Sequence, residues 1–387
     1  MIALLCVARP GSATERKVSA AVAEARLLIE RHFRQGGAAI QHDAELKRVA
    51  TANSEALAEA GPVTPAHAGG YLRFLLERHG VRDAVTQAVA LRLRPAELSQ
   101  LRSKLLAFLR QRAAGGDLTH FGVGLAREAI APDRSREVIT VILLRRRVTL
   151  SVVQASGHQL RLCGQLLSGH HPRVYATLPS GQVIERLPST THPARRFCLE
   201  LPAAARGRYQ VEIMVDGPLG PEVAALFPLH IGVEPPALPE EKLYRPARLG
   251  GPRAVEQRLL TLLSRSRASA RVPPLRSCAK LAVVARVHSS DMMESGFFGH
   301  HAPLRGRLAA RLAAEGIEDY LAASENLALS TSPDRAHDAL LASPSHRKSL
   351  LDPRMTHVGI GALQDPENRF FYITQCFARL TDPTVCQ

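Results

Sequence analysis

In the C-terminal third of the chain the apolar positions fall first at helical and then at strand spacing. In the run that begins at Pro273, Leu281, Val284, Ala285, His288 and Met292 stand at i, i+3, i+4, i+7 and i+11, the stripe of an amphipathic helix that Gly296 closes. His288 lies on that stripe and reads as a core histidine; His300 falls just beyond the helix, in a loop that can turn it inward. Arg307 to Glu315 reads as a second helix ended by Gly316, and Glu325 follows a short acidic loop. Ser343 before Pro344 is the signature of a helix N-cap with proline at the first helical position, so His346 rides the first turn of a short helix. THVGIG at 356–361, a turn at Asp365–Asn368 and then FFYITQCFA predict a β-hairpin. Phe371, Ile373, Gln375 and Phe377 share one face of its second strand, and Tyr372, Thr374 and Cys376 the other.

Five short words mark this region in order: FFGH at 297–300, SENLA at 324–328, SPSHR at 343–347, THVGIG at 356–361 and YITQCFA at 372–378. Together they resemble the bacterial branch of the CAP superfamily, which contains cysteine-rich secretory proteins, venom allergens and pathogenesis-related plant proteins. The resemblance covers residues 255–381. It implies an α-β-α sandwich, an extracytoplasmic location and a cavity carried by His300, Glu325 and His346. In the eukaryotic branch a second glutamate, following a tryptophan, completes a tetrad. This chain has no tryptophan, and AHDALLA offers only Asp338 as a fourth group.

Two imidazoles and a carboxylate can ligate Zn2+ or another divalent cation with positions left for water. The same trio can equally form a hydrogen-bonded cluster on the cavity floor. Metal-dependent hydrolysis needs a general base beside the bound water, and no spare carboxylate is in view. A binding protein is therefore the leading expectation. A metal-dependent hydrolase cleaving peptide or envelope polymer competes with it, with His300 and His346 on the metal and Glu325 as ligand or base; an inert scaffold is the third reading. His301 adjoins His300 and is a substitute for it. Ser343 and Ser345 beside His346 suggest a nucleophile and base, but capping accounts for Ser343. Asn326 reads as a side chain that pins its loop to the backbone.

The C-terminal words recur upstream. THVGIG lies 237 positions beyond THFGVG, SENLAL 238 beyond TQAVAL, and Pro333 238 beyond Pro95. Residues 15–147 are thus expected to be a diverged CAP-like copy, with Gln87, Ala88 and Phe108 in place of Glu325, Asn326 and His346, and with His67 opposite His301. From Val148 to Val233 short β-rich segments separated by turns predict an all-β immunoglobulin-like or fibronectin-like sandwich. Residues 234–254 read as a proline-rich linker, and residues 1–14 as a signal remnant or a disordered start. The expected class is α+β.

The chain has 387 residues, 45% of them hydrophobic, enough for two or three cored domains. A net charge of +15 invites nucleic acid, but arginine scattered through alanine-rich helices and only 4% aromatic residues argue against a binding groove. Attraction to an anionic envelope polymer or lipid head groups fits better, and a small apolar ligand remains a further candidate. No segment is long and apolar enough to span a membrane. Among the six cysteines, Cys163 with Cys198 and Cys376 with Cys386 are the plausible pairs.

Overall fold

The computed structural model of the chain describes residues 13–60, 65–84, 86–112, 118–131, 134–156, 158–191, 193–238, 250–367 and 370–386. Helix and strand are mixed, as in an α+β protein, and the chain divides into two compact units: Met1–Arg146 with Ala237–Lys242, and Arg147–Pro236 with Leu243–Gln387. The sequence reading of residues 1–12 lies outside the described residues, as does most of the proline-rich stretch.

The first unit runs α1 (Ala13–Gln35), β1 (Gln41–His42), α2 (Ala44–Ala60), α3 (Pro65–Arg78), β2 (Thr86–Leu93), α4 (Leu101–Arg112), β3 (His120–Ala131) and β4 (Arg134–Leu144). Its sheet has the order β1-β3-β4-β2, with β1 parallel to β3 and the rest antiparallel. VITVILL is apolar except for Thr140, whose buried hydroxyl is bonded by Asn53 and Ser54, because β4 is covered on both faces. Ile139, Val141 and Leu143 pack with α1 and α4; Ile142 and Leu144 pack with α2 and α3. Phe108 joins the α1–α4 side of the core, and the side chain of His67 is outside the described residues.

The second unit opens with β5 (Val148–Ser156), β6 (Gln159–Leu166), β7 (His170–Thr177), β8 (Val183–Arg186), β9 (Arg196–Pro202), β10 (Gly207–Gly217) and β11 (Gly220–Ile231). They form two sheets, β5-β6-β9 and β11-β10-β7-β8. Alternation sends Val211, Ile213 and Val215 of β10 into the core between the sheets. Glu212 and Met214 point the other way, yet both are buried. The expected Cys163–Cys198 bridge is present and joins directly paired residues of β6 and β9. The short strand β8 had no counterpart in the sequence reading.

The rest of the unit runs α5 (Pro252–Ser269), β12 (Arg276–Ser277), α6 (Ala279–Ser295), α7 (Leu308–Ala314), β13 (Tyr320–Ser330), α8 (Pro333–Ala342), α9 (Pro344–Leu350), β14 (His357–Gln364) and β15 (Phe371–Leu380). The sheet order is β12-β14-β15-β13. Phe371, Ile373 and Phe377 pack against α5 and α8; Cys376 and Ala378 pack against α6. The two predicted faces of β15 therefore lie in two cores, and the sheet is the middle of three layers. Gly296 ends α6 in the left-handed region at φ 66°, as expected. Gly359 and Gly361 let α6 lie close on β14, since a Cβ at either would collide with the backbone at Leu281, Ala285 or Arg286. One cysteine expectation needs correction: Cys386 bonds Cys278, and Cys376 is a buried free thiol. Cys376 sits mid-strand in register with Glu325, while the turn after β15 carries Cys386 back to the start of α6.

Candidate functional site

Glu325 lies in the middle of β13, directly paired with Cys376 of β15, and its side chain is only 3% exposed. A carboxylate this dry must be neutralised nearby. Arg311 of α7, equally buried, donates from Nη1 to Oε2 at 2.8 Å and from Nη2 to Oε1 at 3.1 Å. His300 Nδ1 lies 2.9 Å from Oε1. Burial alone would raise the Glu325 pKa, but the hydrogen bonds from His300 and Arg311 and the guanidinium charge outweigh it and hold it at about 2. Arg311 Nη2 also donates to the His300 carbonyl at 3.2 Å, so one guanidinium fixes both the carboxylate and the loop that brings the histidine. His288 is the core histidine expected on α6: it is wholly buried, with Nε2 3.0 Å from the Gly299 carbonyl and 3.8 Å from Glu325. Burial pushes its pKa down to about 4.

His346 occupies the first turn of α9, as expected. Ser343 is the residue before that helix with proline following, but its hydroxyl does not cap it. Ser343 Oγ instead donates to Glu212 Oε1 at 2.5 Å, while the Ser345 N–H donates to Glu212 Oε2 at 2.7 Å. A glutamate of β10 thus takes over the capping role that the sequence assigned to serine. Ser343 Oγ also lies 2.6 Å from His346 Nδ1. Burial pushes the Glu212 carboxyl pKa up; when Glu212 is ionised the serine proton goes to it, and the His346 contact then places the ring proton on Nδ1 and leaves Nε2 a bare lone pair. Burial, then the neighbouring His300, push the His346 pKa down to about 3. The arrangement differs from a nucleophile triad, in which the acid holds the histidine: here it holds the serine.

Asn326 Nδ2 donates to the His346 carbonyl at 3.2 Å, a side-chain to backbone bond as expected, though made from a strand onto α9. Arg267 of α5, 1% exposed, steadies the other end of α9 by donating to the Leu350 and Asp352 carbonyls.

These groups open onto a cavity of ≈ 810 Å3. His300, His301, Glu325 and His346 line it from one side, and His170, His171, Arg173 and Asp216 from the β-sandwich segment of the same unit. The two sides meet where the tight turn between β10 and β11 touches the loop after α6: the His301 N–H donates to the Leu219 carbonyl at 2.9 Å. Gly299 is required there, because a Cβ would run into Leu219. Asp338 is absent from the residues lining the cavity. Among the described residues, one group of three His, Cys, Asp or Glu side chains brings its ligand atoms within 4.8 Å of one another: His170, His171 and Asp216.

Arg311 and Glu212 were missed by sequence reasoning. Arg311 left a signal, standing three residues after Leu308 and one before Leu312 on the apolar side of α7. Glu212 left none, since an outward acid in an alternating strand is ordinary.

A three-layer domain with a histidine–glutamate site at the sheet's edge is the class that fold and site define. A family model described as "CAP: Cysteine-rich secretory protein family" matches residues 260–377, and this part of the chain is a CAP domain. The chain is 31% identical over 112 residues to "Uncharacterized protein YkwD" of Bacillus subtilis (strain 168), a match covering 29% of this chain and 43% of that protein. It is 41% identical over 81 residues to "Uncharacterized membrane protein YlbC" of the same organism, covering 21% and 23%. The matches therefore span less than half the length of either relative. A solved extracellular protein containing a SCP domain from Bacillus anthracis str. Ames aligns with 59% of this chain and 88% of its own, at 20% identity and a TM-score of 0.31.

Proposed function

We propose that this is an extracytoplasmic binding protein whose CAP domain and β-sandwich segment share one cleft for an acidic, hydroxyl-rich fragment of an envelope polymer. The observation that carries the reading is that the buried acids of the site are already engaged. Glu325 is held by Arg311 and His300, and Glu212 by Ser343 and Ser345. What faces the cleft is a set of nitrogen donors and acceptors. The lining has Arg173, Arg307, Lys348 and Arg354 against Asp216, Glu325 and Asp352. Those three acids each have an arginine partner, while Arg307 has no carboxylate partner among the described residues. Such a surface favours an anionic ligand over a lipid or small apolar one, and its volume suits a small ligand.

The His300, Glu325 and His346 set does not suit a divalent cation. The Arg311 guanidinium already neutralises the only carboxylate of the three, and a metal there would face a fixed positive charge in a dry site. The hydrolase reading, which routes chemistry through that metal, weakens with it. Two disulfides support an oxidising compartment, and no helix among the described residues is long and apolar enough to cross a membrane.

The β-sandwich segment reads as immunoglobulin-like. Its sheets, β5-β6-β9 and β11-β10-β7-β8, follow the A-B-E and G-F-C-C′ orders. Tyr209, near the start of β10, donates its hydroxyl to the Ala205 carbonyl at 2.8 Å, as a tyrosine corner does. The first unit reads as a diverged CAP-like copy. The order β1-β3-β4-β2 repeats as β12-β14-β15-β13, each beginning with a two-residue parallel strand. Gly122 and Gly124 admit α2 as Gly359 and Gly361 admit α6. Thr119 lies 2.8 Å from His120 Nδ1, and Thr356 2.9 Å from His357 Nδ1.

Calorimetric titration of the full chain with soluble muropeptides, with product analysis of the same mixtures, tests the function. Saturable binding with no new amine or reducing end supports it; turnover would return the hydrolase reading.

A further inference from the structure

The β-sandwich segment carries an adjacent histidine pair, His170 and His171, at the start of β7. His170 opens β7 and is the direct cross-strand partner of Asp216 in β10, so the two side chains stand on one face. His171 would ordinarily point to the opposite face, because successive strand residues alternate. It does not: His171 is held at φ 46°, in the left-handed region that a side-chain-bearing residue rarely adopts. The pairing of β7 with β10 also shifts between Met214 and Asp216. Strain and an irregular register of this kind concentrate where side chains must be re-aimed for a task. The outcome is two imidazole nitrogens and a carboxylate oxygen all within 4.8 Å of one another.

We infer that His170, His171 and Asp216 form a binding site for a first-row divalent cation, zinc being the ion it suits best. Nitrogen and oxygen donors of this kind bind zinc with bonds of about 2.0–2.2 Å, which places neighbouring donors of a tetrahedral shell about 3.3 Å apart. His171 Nδ1 and Asp216 Oδ2 are 3.4 Å apart, already at that spacing. The carboxylate is oriented from its other oxygen, since Arg173 donates to Oδ1 at 2.5 Å and leaves Oδ2 to the histidines. An outer partner that fixes a ligating carboxylate in this way is the usual support of a metal site. Three protein donors leave the fourth position open towards the cleft that these residues line. Arg173 donates to one oxygen of Asp216, whereas Arg311 spans both oxygens of Glu325. The cluster lies on the sandwich side of the cleft, away from His300 and His346, and its zinc affinity is measured without any polymer fragment present.

Calorimetric titration of the full chain with zinc chloride tests the inference, with cobalt(II) absorption reporting the donor set. His170 and His171 are exposed, so His170→Gln and His171→Gln keep the fold, which circular dichroism verifies. Each of these, and Asp216→Asn, should weaken zinc by more than about tenfold, and Arg173→Leu should weaken it by a smaller factor. His158→Gln, on the same sandwich but away from the cluster, should leave it unchanged. Zinc affinity that survives His171→Gln and Asp216→Asn would overturn the assignment, as would affinity lost only on His346→Gln, which places the ion in the CAP domain.

Discussion

Replacing Arg311 with methionine tests the electrostatic arrangement on which the site is built. Arg311 and Glu325 are each 3% exposed and share two hydrogen bonds, of 2.8 and 3.1 Å. Arg311→Met leaves a dry carboxylate with only His300 beside it, and breaking a buried pair from one side costs about 3–5 kcal/mol. A second route gives a similar size. Glu325 is held at about 2 against an ordinary 4.5, and at roughly 1.4 kcal/mol per tenfold in proton affinity that gap is about 3 kcal/mol. Because the folded value is the lower one, this contribution is present above about pH 4.5 and is lost as pH falls towards about 2. The chain supplies its own probe. Cys376 is fully buried beside Glu325, and with Cys6 replaced by serine it is the sole thiol outside the two disulfides. Its labelling rate against urea reports opening of the CAP domain without interference from the first unit. Arg311→Met should lower the free energy of opening by about 3 kcal/mol at pH 7, and Arg311→Met with Glu325→Gln should recover most of it. A loss below about 1 kcal/mol, the size of a surface pair, or a double variant no better than the single one, would refute the reasoning.

Three other outcomes follow from the same geometry. Ser343→Ala removes one of the two donors to buried Glu212 and should destabilise the second unit by about 1–3 kcal/mol, read by the same thiol labelling. Glu212→Gln should keep the fold but reverse the chain of hydrogen bonds: its amide then donates to Ser343, Ser343 donates to His346, and the ring proton moves to Nε2, which nitrogen-15 spectra of the ring detect as exchanged signals. Cys278→Ser together with Cys386→Ser opens the 108-residue loop without adding a second thiol and should cost roughly 2–5 kcal/mol, measured as a lower urea midpoint for thiol labelling at Cys376 relative to the intact chain.

The CAP domain was legible because its signals are local. The stripe from Leu281 to Met292, the glycine after it and the alternation along β15 each depend on near neighbours, and each proved right in detail. His300, Glu325 and His346 were legible through their words. Their partners were not, because contacts between distant segments set them. Glu212 follows ordinary alternation in β10, and the start of α9 docks on it, so that Ser343 is bonded to Glu212 on one side and to His346 on the other. Ser343 shows the same limit: its place before a proline predicted a cap, and a tertiary contact drew its hydroxyl elsewhere. The Cys376–Cys386 pairing failed because nearness in sequence misleads along an extended strand; Cys386 lies past the end of β15, where the chain turns back to α6. The histidine pair at His170 and His171 was invisible for a related reason, since alternation places adjacent strand residues on opposite faces and only a left-handed residue brings them together.

The central claim is that a polymer fragment is held against the rings of His300 and His346. Nitrogen-15 spectra of histidine-labelled protein, recorded while soluble muropeptides are added and assigned with His300→Gln and His346→Gln, test it at the atoms concerned. The account predicts that those two rings shift in proportion to occupancy while His79 and His158 stay in place. Binding that leaves the His300 and His346 signals unmoved would contradict it.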